Sequence, residues 1–261
     1  MDDEVVTRRS KPRVSGRSIL LMLAILTVGP AGAFGHGIAV DIAFYGGFTK
    51  GATQCLRRVT IEGRRCARRT YSLHRKCADQ QLQGETCDLV HRDAELDAAM
   101  GQALNSIDSN CTGGQLTEIG LITGSDARND MRQFCLRAED VISFAYGPVQ
   151  SMTPDQPRSR CAMMAGELAA KLFGRTLEMK GQAFDRMAVR LLTPSQKRKM
   201  LSNIGGHIGA TRSKLVAKMQ PSCPEFQEIY SASVDDFAIF VENYGNCALS
   251  FLYVQNAVTC P

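Results

Sequence analysis

Ten cysteines, and the intervals between them, constrain the fold of this 261-residue chain more than any other feature of its sequence. They are Cys55, Cys66, Cys77, Cys87, Cys111, Cys135, Cys161, Cys223, Cys247 and Cys260. No two form a Cys-x-x-Cys motif, so the zinc-ribbon, thioredoxin and c-type haem patterns are not present in the sequence. An even number of cysteines in an exported chain predicts a disulfide framework.

The first 33 residues predict export. A basic stretch at 8–17 precedes an apolar run of ten residues at 19–28, and small residues follow at 31–33. This order is typical of a secretory signal peptide, with cleavage expected after Ala33 and a secreted or periplasmic product. The alternative is an uncleaved anchor helix, although ten apolar residues fall short of the roughly 20 that span a bilayer.

Charge and composition narrow the class of protein. Without residues 1–33, which hold five basic and three acidic residues, the formal net charge falls from +5 to +3. So small an excess does not predict nucleic-acid binding, and no nucleic-acid partner is expected. Hydrophobic residues make up 44% of the chain and charged residues 22%, which is typical of a folded globular protein.

The cysteine intervals also predict an internal duplication. A gap of 24 positions follows both Cys111 and Cys223, and the gaps that follow Cys55 and Cys161 are 56 and 62 positions. Two degenerate copies of one unit would produce this pattern. The predicted organisation is a signal peptide at 1–33, an N-terminal segment at 34–50, helical module 1 at 51–147, a proline-containing linker at 148–157 and helical module 2 at 158–261.

Hydrophobic periodicity predicts an all-α fold in which each module is an antiparallel helical hairpin with a third helix. In residues 52–78 the cysteines recur every 11 positions, on one helical face with apolar residues. Residues 161–191 show the same kind of stripe, and Thr193-Pro194 predicts an N-cap and first helical residue after it. Third helices are expected from Ser125 to Gly147 and from Ser233 onward.

Hairpin geometry favours one disulfide plan, because bridged Cα atoms must lie within about 7 Å. The midpoint between Cys55 and Cys111 and the midpoint between Cys161 and Cys223 both fall in predicted turns, so each pair would close a hairpin. The favoured pairs are Cys55–Cys111, Cys66–Cys135, Cys77–Cys87, Cys161–Cys223 and Cys247–Cys260. A rival plan pairs Cys111 with Cys135 and Cys223 with Cys247, and the sequence leaves both open.

The first module resembles uncharacterised bacterial secreted proteins built from cysteine-rich helical-hairpin repeats. The resemblance rests on the runs Cys55-Leu-Arg-Arg, Cys66, Leu73-His-Arg-Lys-Cys77, Cys87 and Asn110-Cys111. It covers residues 55–135 well and the second module poorly. It implies a helical fold and an exported location, and no particular activity.

A basic face on helix 52–78 is the main candidate binding surface. Opposite the cysteines lie Arg57, Arg58, Arg64, Arg65, Arg68, Arg75 and Lys76. Such a face can bind an anionic envelope polymer, lipid headgroups or an acidic protein. The alternative interpretation is a solvated helix face without a ligand.

Other candidate chemistry is weaker. His74, followed by Cys77 and Asp79, is similar to the His-Asp helix of secreted phospholipase A2, but Arg75 and the missing calcium-loop glycines depart from it. No catalytic residue, metal or cofactor is predicted. The glycines at 205–209 are expected to kink a helix or to allow tight packing.

Three functions follow as hypotheses. The leading one is an exported, non-enzymatic helical protein with a structural or binding role at the cell envelope or outside the cell. The alternative is a lipid or hydrophobic-ligand carrier of saposin-like or lipid-transfer-like type, and the remote alternative is a secreted hydrolase using His74. A large apolar cavity would favour the carrier, whereas a basic surface over a filled core would favour anion binding.

Overall fold

The computed structural model describes residues 45–121, 123–150 and 156–253, and these ranges are helical without any β-strand. The eight helices are α1 Lys50–Leu82, α2 Leu89–Asn110, α3 Gly113–Glu118, α4 Gly124–Gln150, α5 Gln156–Val189, α6 Pro194–Met219, α7 Phe226–Tyr230 and α8 Val234–Leu252. The all-α prediction is confirmed. The predicted signal peptide lies outside the described residues. Among the described helices, none is both long and apolar enough to span a bilayer.

Three disulfides hold the first half of the fold. Helices α1 and α2 form an antiparallel hairpin, and Cys55–Cys111 closes its open end with Cα atoms 5.0 Å apart. Cys77–Cys87 spans the turn of the hairpin, and Cys66–Cys135 joins α1 to α4. These three predicted pairs are confirmed.

The second half contains a further helical hairpin, formed by α5 and α6. Cys161–Cys223 closes it with a Cα separation of 5.2 Å, as predicted. The rival pairing is wrong, because Cys111 is bonded to Cys55 and Cys223 is bonded to Cys161. The fifth predicted pair, Cys247–Cys260, ends at a residue outside the described ranges.

Local capping signals set most of the helix starts. Thr193 caps α6 and forms a capping box with Gln196, with Pro194 in the first turn, as predicted. The Ser233 hydroxyl accepts the backbone N–H of Asp236 at the start of α8, also as predicted. Helix α4 begins slightly earlier than expected, because the Thr123 hydroxyl, not that of Ser125, accepts the Asp126 N–H at 3.2 Å.

Two expectations about helix interruption are wrong. Helix α4 continues through Gly147 and Pro148 to Gln150, since a proline in the last turns removes only one backbone hydrogen bond there. Helix α6 is uninterrupted across the glycines at 205–209, and a Cβ atom added at Gly205, Gly206 or Gly209 would meet no atom within 4 Å. These three glycines therefore neither interrupt the helix nor make a close contact with another helix.

The two halves share one hydrophobic core. Helices α1 and α5 run antiparallel against each other, as shown by the Thr60–Asp185 and Tyr71–Phe173 contacts. Helices α4 and α8 pack on them and on each other, with Phe134 and Phe237 fully buried. The predicted modules thus bury apolar surface together; residues 151–155 of the predicted linker lie outside the described ranges.

Candidate anion-binding site

Two adjoining cavities open where α1 begins and α5 ends. One, of about 510 Å³, lies between α1 and α5, and the other, of about 700 Å³, lies between α1 and the end of α2. Both are lined by Arg57 and Ile61, so they form one continuous surface. We call this surface the arginine groove, after the four exposed arginines that line it: Arg57, Arg58, Arg186 and Arg190.

The four groove arginines are free to bind an external anion. No carboxylate of the described residues lies within 4.0 Å of any of their guanidinium nitrogens. Two of them come from α1 and two from α5, which places charge on both walls. Glu178 and Asp185 also line the cavity between α1 and α5, but Glu178 is paired with Arg68 and Asp185 with Arg64. The four unpaired guanidinium groups therefore give this concave surface a positive potential.

Arg64 forms the floor of the groove and corrects the prediction that it belongs to an exposed basic face. Its side chain is buried, with only 4% of the residue exposed, because α5 covers this side of α1. Its Nη2 donates to Asp185 Oδ2 at 3.0 Å and its Nη1 donates to the Tyr253 hydroxyl. Gly181 makes room for the guanidinium, since a Cβ atom there would lie 2.6 Å from Arg64 Nη1.

Both carboxylate oxygens of Asp185 accept hydrogen bonds from other side chains of the protein. Its Oδ1 accepts from the Thr60 hydroxyl at 3.1 Å and from the Tyr253 hydroxyl at 2.9 Å. Burial, followed by the charge of Asp185, raises the pKa of Tyr253 well above its ordinary value, so this hydroxyl stays a donor. Burial alone would lower the pKa of Arg64, but Tyr253, Asp185 and Glu178 outweigh it and raise that pKa. The floor is thus internally neutralised.

The remaining members of the predicted basic face do not form a continuous surface. Three are neutralised by carboxylates, in the pairs Arg65–Glu62, Arg68–Glu178 at 3.2 Å and Arg75–Asp79 at 3.3 Å. Lys76 is exposed but lies 19 residues after Arg57, about 28 Å along the helix. Of the seven predicted residues, the groove therefore presents Arg57 and Arg58 as free exposed cations.

Sequence reasoning missed Arg186 and Arg190. They lie in the second half of the chain, and the antiparallel packing of α5 on α1 brings them to Arg57. One signal could have drawn attention to them, because no Asp or Glu occurs between Arg186 and Pro224. That long acid-free stretch leaves its cations without local partners.

The His74 site is separate and small. His74 Nε2 lies 3.3 Å from Glu139 Oε1, with the histidine largely covered by α4. In the part of the chain that the structure describes, no group of three or more His, Cys, Asp or Glu side chains could hold a metal ion.

An apolar ligand site is poorly supported. The cavity between α5 and α6 has a volume of about 30 Å³, and charged side chains line it beside the apolar ones: Met164, Glu167, Leu168, Lys171, Leu215, Lys218 and Met219. Pockets for small molecules usually measure roughly 300–1,000 Å³. The large aromatic side chains between the helices are fully buried, which fills the space a carrier would need.

Comparisons of the chain with protein-family models, with curated proteins and with solved structures found no match. The geometry and charge of the arginine groove are therefore the features that indicate a function.

Proposed function

We propose that this protein is exported and acts without catalysis, binding an anionic component of the cell envelope through the arginine groove. The observation that carries the proposal is the convergence of four exposed, unpaired arginines from two antiparallel helices on one groove. Arginine presents planar, paired N–H donors that match the oxygens of phosphate and carboxylate groups.

The scaffold suits this role because the groove walls are held in place. Cys55–Cys111 joins α1 to the end of α2 two residues before Arg57. Arg186 and Arg190 are four residues apart on α5 and therefore share one helical face. A preorganised set of cations loses little conformational entropy when a ligand binds.

The chemistry of the groove favours an anionic ligand over the other candidates. Its lining residues include no aromatic side chain, which gives no platform for stacked nucleotides. The carrier hypothesis has no comparable support, because the cavity between α5 and α6 is too small and is lined in part by charged side chains. Four disulfides support an oxidising compartment, as does the resemblance of the first module to secreted helical-hairpin proteins.

We also propose that the two halves are degenerate copies of one unit. The support is that each half has a long first helix, an antiparallel partner and a third helix, and that equivalent cysteines close the two hairpins. Aligning the halves of related chains with Cys55 set on Cys161 tests this idea. Similarity confined to the cysteines would contradict it.

Neutralising the groove should abolish most anion binding. In the variant Arg57→Gln, Arg186→Gln, Arg190→Gln we expect the affinity for inorganic polyphosphate, measured by calorimetry at low salt, to fall about 100-fold. Each lost cation contributes roughly 1 kcal/mol near an anionic surface, and 1.4 kcal/mol corresponds to a factor of ten.

A charge-matched variant serves as the control. Arg132→Gln, Arg160→Gln, Lys214→Gln removes three exposed cations outside the groove, and we expect less than a threefold change in affinity. Equal losses in both triple variants would show that polyphosphate senses only the net charge, and would contradict a defined site. A parent protein that does not bind polyphosphate at low salt would contradict the proposed function itself.

A further inference from the structure

We propose that the corner between α5 and α6 docks onto the surface of an anionic phospholipid bilayer, with the arginine groove against the lipid headgroups. This inference rests on the proposed function and identifies the anionic ligand as phospholipid headgroups. We call residues 189–192 the apolar corner.

The apolar corner exposes large hydrophobic side chains at the tip of a helical hairpin. Leu191 is 92% exposed and Val189 is 57% exposed, while Leu192 is half-buried. Helix α5 ends at Val189 and the cap of α6 begins at Thr193, so the exposed side chains occupy the turn itself. Two adjacent apolar side chains facing water can instead enter the boundary between headgroups and acyl chains.

The segment that precedes α1 packs against the helices on both sides of the apolar corner. Gly46 adopts φ +106°, and a Cβ atom there would lie 2.3 Å from the Met187 carbonyl oxygen, so the two backbones are in direct contact. The buried Lys197 donates from Nζ to the Tyr45 carbonyl at 2.6 Å, which ties α6 to the same segment. The segment therefore contacts both helices that flank the apolar corner.

Charge around the corner complements an anionic membrane. Arg186 precedes the apolar corner and Arg190 lies within it, and Arg198 and Lys199 are exposed in the first turns of α6. No acidic residue occurs from Arg186 to Pro224. Long arginine and lysine side chains beside an inserted apolar tip can reach the phosphate level while their carbon stems stay in apolar surroundings.

The opposite end of the molecule provides a natural contrast. The corner between α1 and α2 also exposes apolar side chains, with Val90 83% exposed and Leu89 half-exposed. Its neighbours along the chain include Glu85, Asp88 and Asp93, and Arg92 is paired with Asp93 at 2.7 Å. Because α1 and α5 are antiparallel, the two corners lie at opposite ends of these helices. Of these two described corners, the α5–α6 corner is the one that has unpaired arginines and no acidic residue after Arg186 up to Pro224.

Vesicle binding of the purified, oxidised protein tests the inference. The vesicles contain equal parts of phosphatidylglycerol and phosphatidylcholine, and co-sedimentation at low salt gives the partition coefficient. We expect Val189→Ser/Leu191→Ser to lower this coefficient at least tenfold, because two exposed apolar side chains no longer enter the bilayer. The matched variant Leu89→Ser/Val90→Ser should change it less than twofold.

The outcomes separate this inference from the proposed function. The parent protein should not bind vesicles made only of phosphatidylcholine, and it should dissociate from the anionic vesicles at high salt. Val189 lines the arginine groove, so the polyphosphate control uses Leu191→Ser alone and Leu89→Ser/Val90→Ser. Both should bind polyphosphate like the parent, because every residue that lines the groove is intact. The inference is overturned if the parent ignores anionic vesicles while binding polyphosphate, or if Val189→Ser/Leu191→Ser partitions like the parent. Loss of polyphosphate binding by the parent would remove the proposed function as well.

Discussion

Asp185→Ala should lower the free energy of unfolding by about 3 kcal/mol, as measured by urea denaturation of the oxidised protein. The change removes the carboxylate that pairs with the buried Arg64 and accepts from Thr60 and Tyr253. Breaking a buried pair from one side typically costs 3–5 kcal/mol, because the remaining charge is left without compensation. Glu178 Oε2 remains 3.9 Å from Arg64 Nε and the Asp185 side chain is 12% exposed, and both favour the lower end of that range.

Two variants check the cause of that loss. Asp93→Ala breaks an exposed pair with Arg92 and should change the free energy of unfolding by less than 1 kcal/mol. Adding Arg64→Met to Asp185→Ala removes both charges and should recover part of the lost stability. If the stability lost in the double variant equals the sum of the losses in Asp185→Ala and Arg64→Met, the two side chains are not coupled as the structure indicates.

Removing the disulfide that closes the second hairpin should have an effect of similar size. For Cys161→Ala/Cys223→Ala we expect a loss of roughly 4 kcal/mol, because the 62-residue separation leaves a long loop unconstrained in the unfolded chain. Both cysteines are buried, so the smaller alanines add a packing loss. The measurement is again urea denaturation under non-reducing conditions.

The shorter cross-link offers a graded comparison. Cys77→Ala/Cys87→Ala opens a separation of only 10 residues and should cost roughly 3 kcal/mol by the same loop-entropy relation. A loss below about 1 kcal/mol for the Cys161 and Cys223 variant would contradict the proposed role of this disulfide as a main stabilising element. A larger loss for the Cys77 and Cys87 variant would show that native-state contacts, not loop entropy, dominate.

The buried pair of Arg64 and Asp185 also affects the positive charge that the arginine groove presents to a ligand. Arg64 neutralises Asp185 beneath the groove, so the outer arginines face outward with their charge uncompensated. Had Arg186 or Arg190 paired with Asp185 instead, the groove would have lost a cation. The buried pair thus sets how much positive charge the surface presents.

Local rules in the sequence determined the helices and four of the disulfides. The cap at Thr193 and the start at Ser233 follow from side-chain hydrogen bonding to nearby backbone N–H groups, which needs no distant partner. The pairing of Cys161 with Cys223 follows from helix length and a turn midway between them. Where local rules failed, as at Gly147 and across 205–209, glycine and proline were tolerated within helices despite their low propensity.

The tertiary structure alone decided which cations are available. Periodicity assigned Arg64 to a polar face of α1, but that helix is contacted by α2, α4 and α5, and α5 covers this part of its surface. The same packing of α5 carries Arg186 and Arg190 to the groove. A helical repeat shows which residues share a direction, but not which directions a distant segment will cover, because that depends on how two long helices cross.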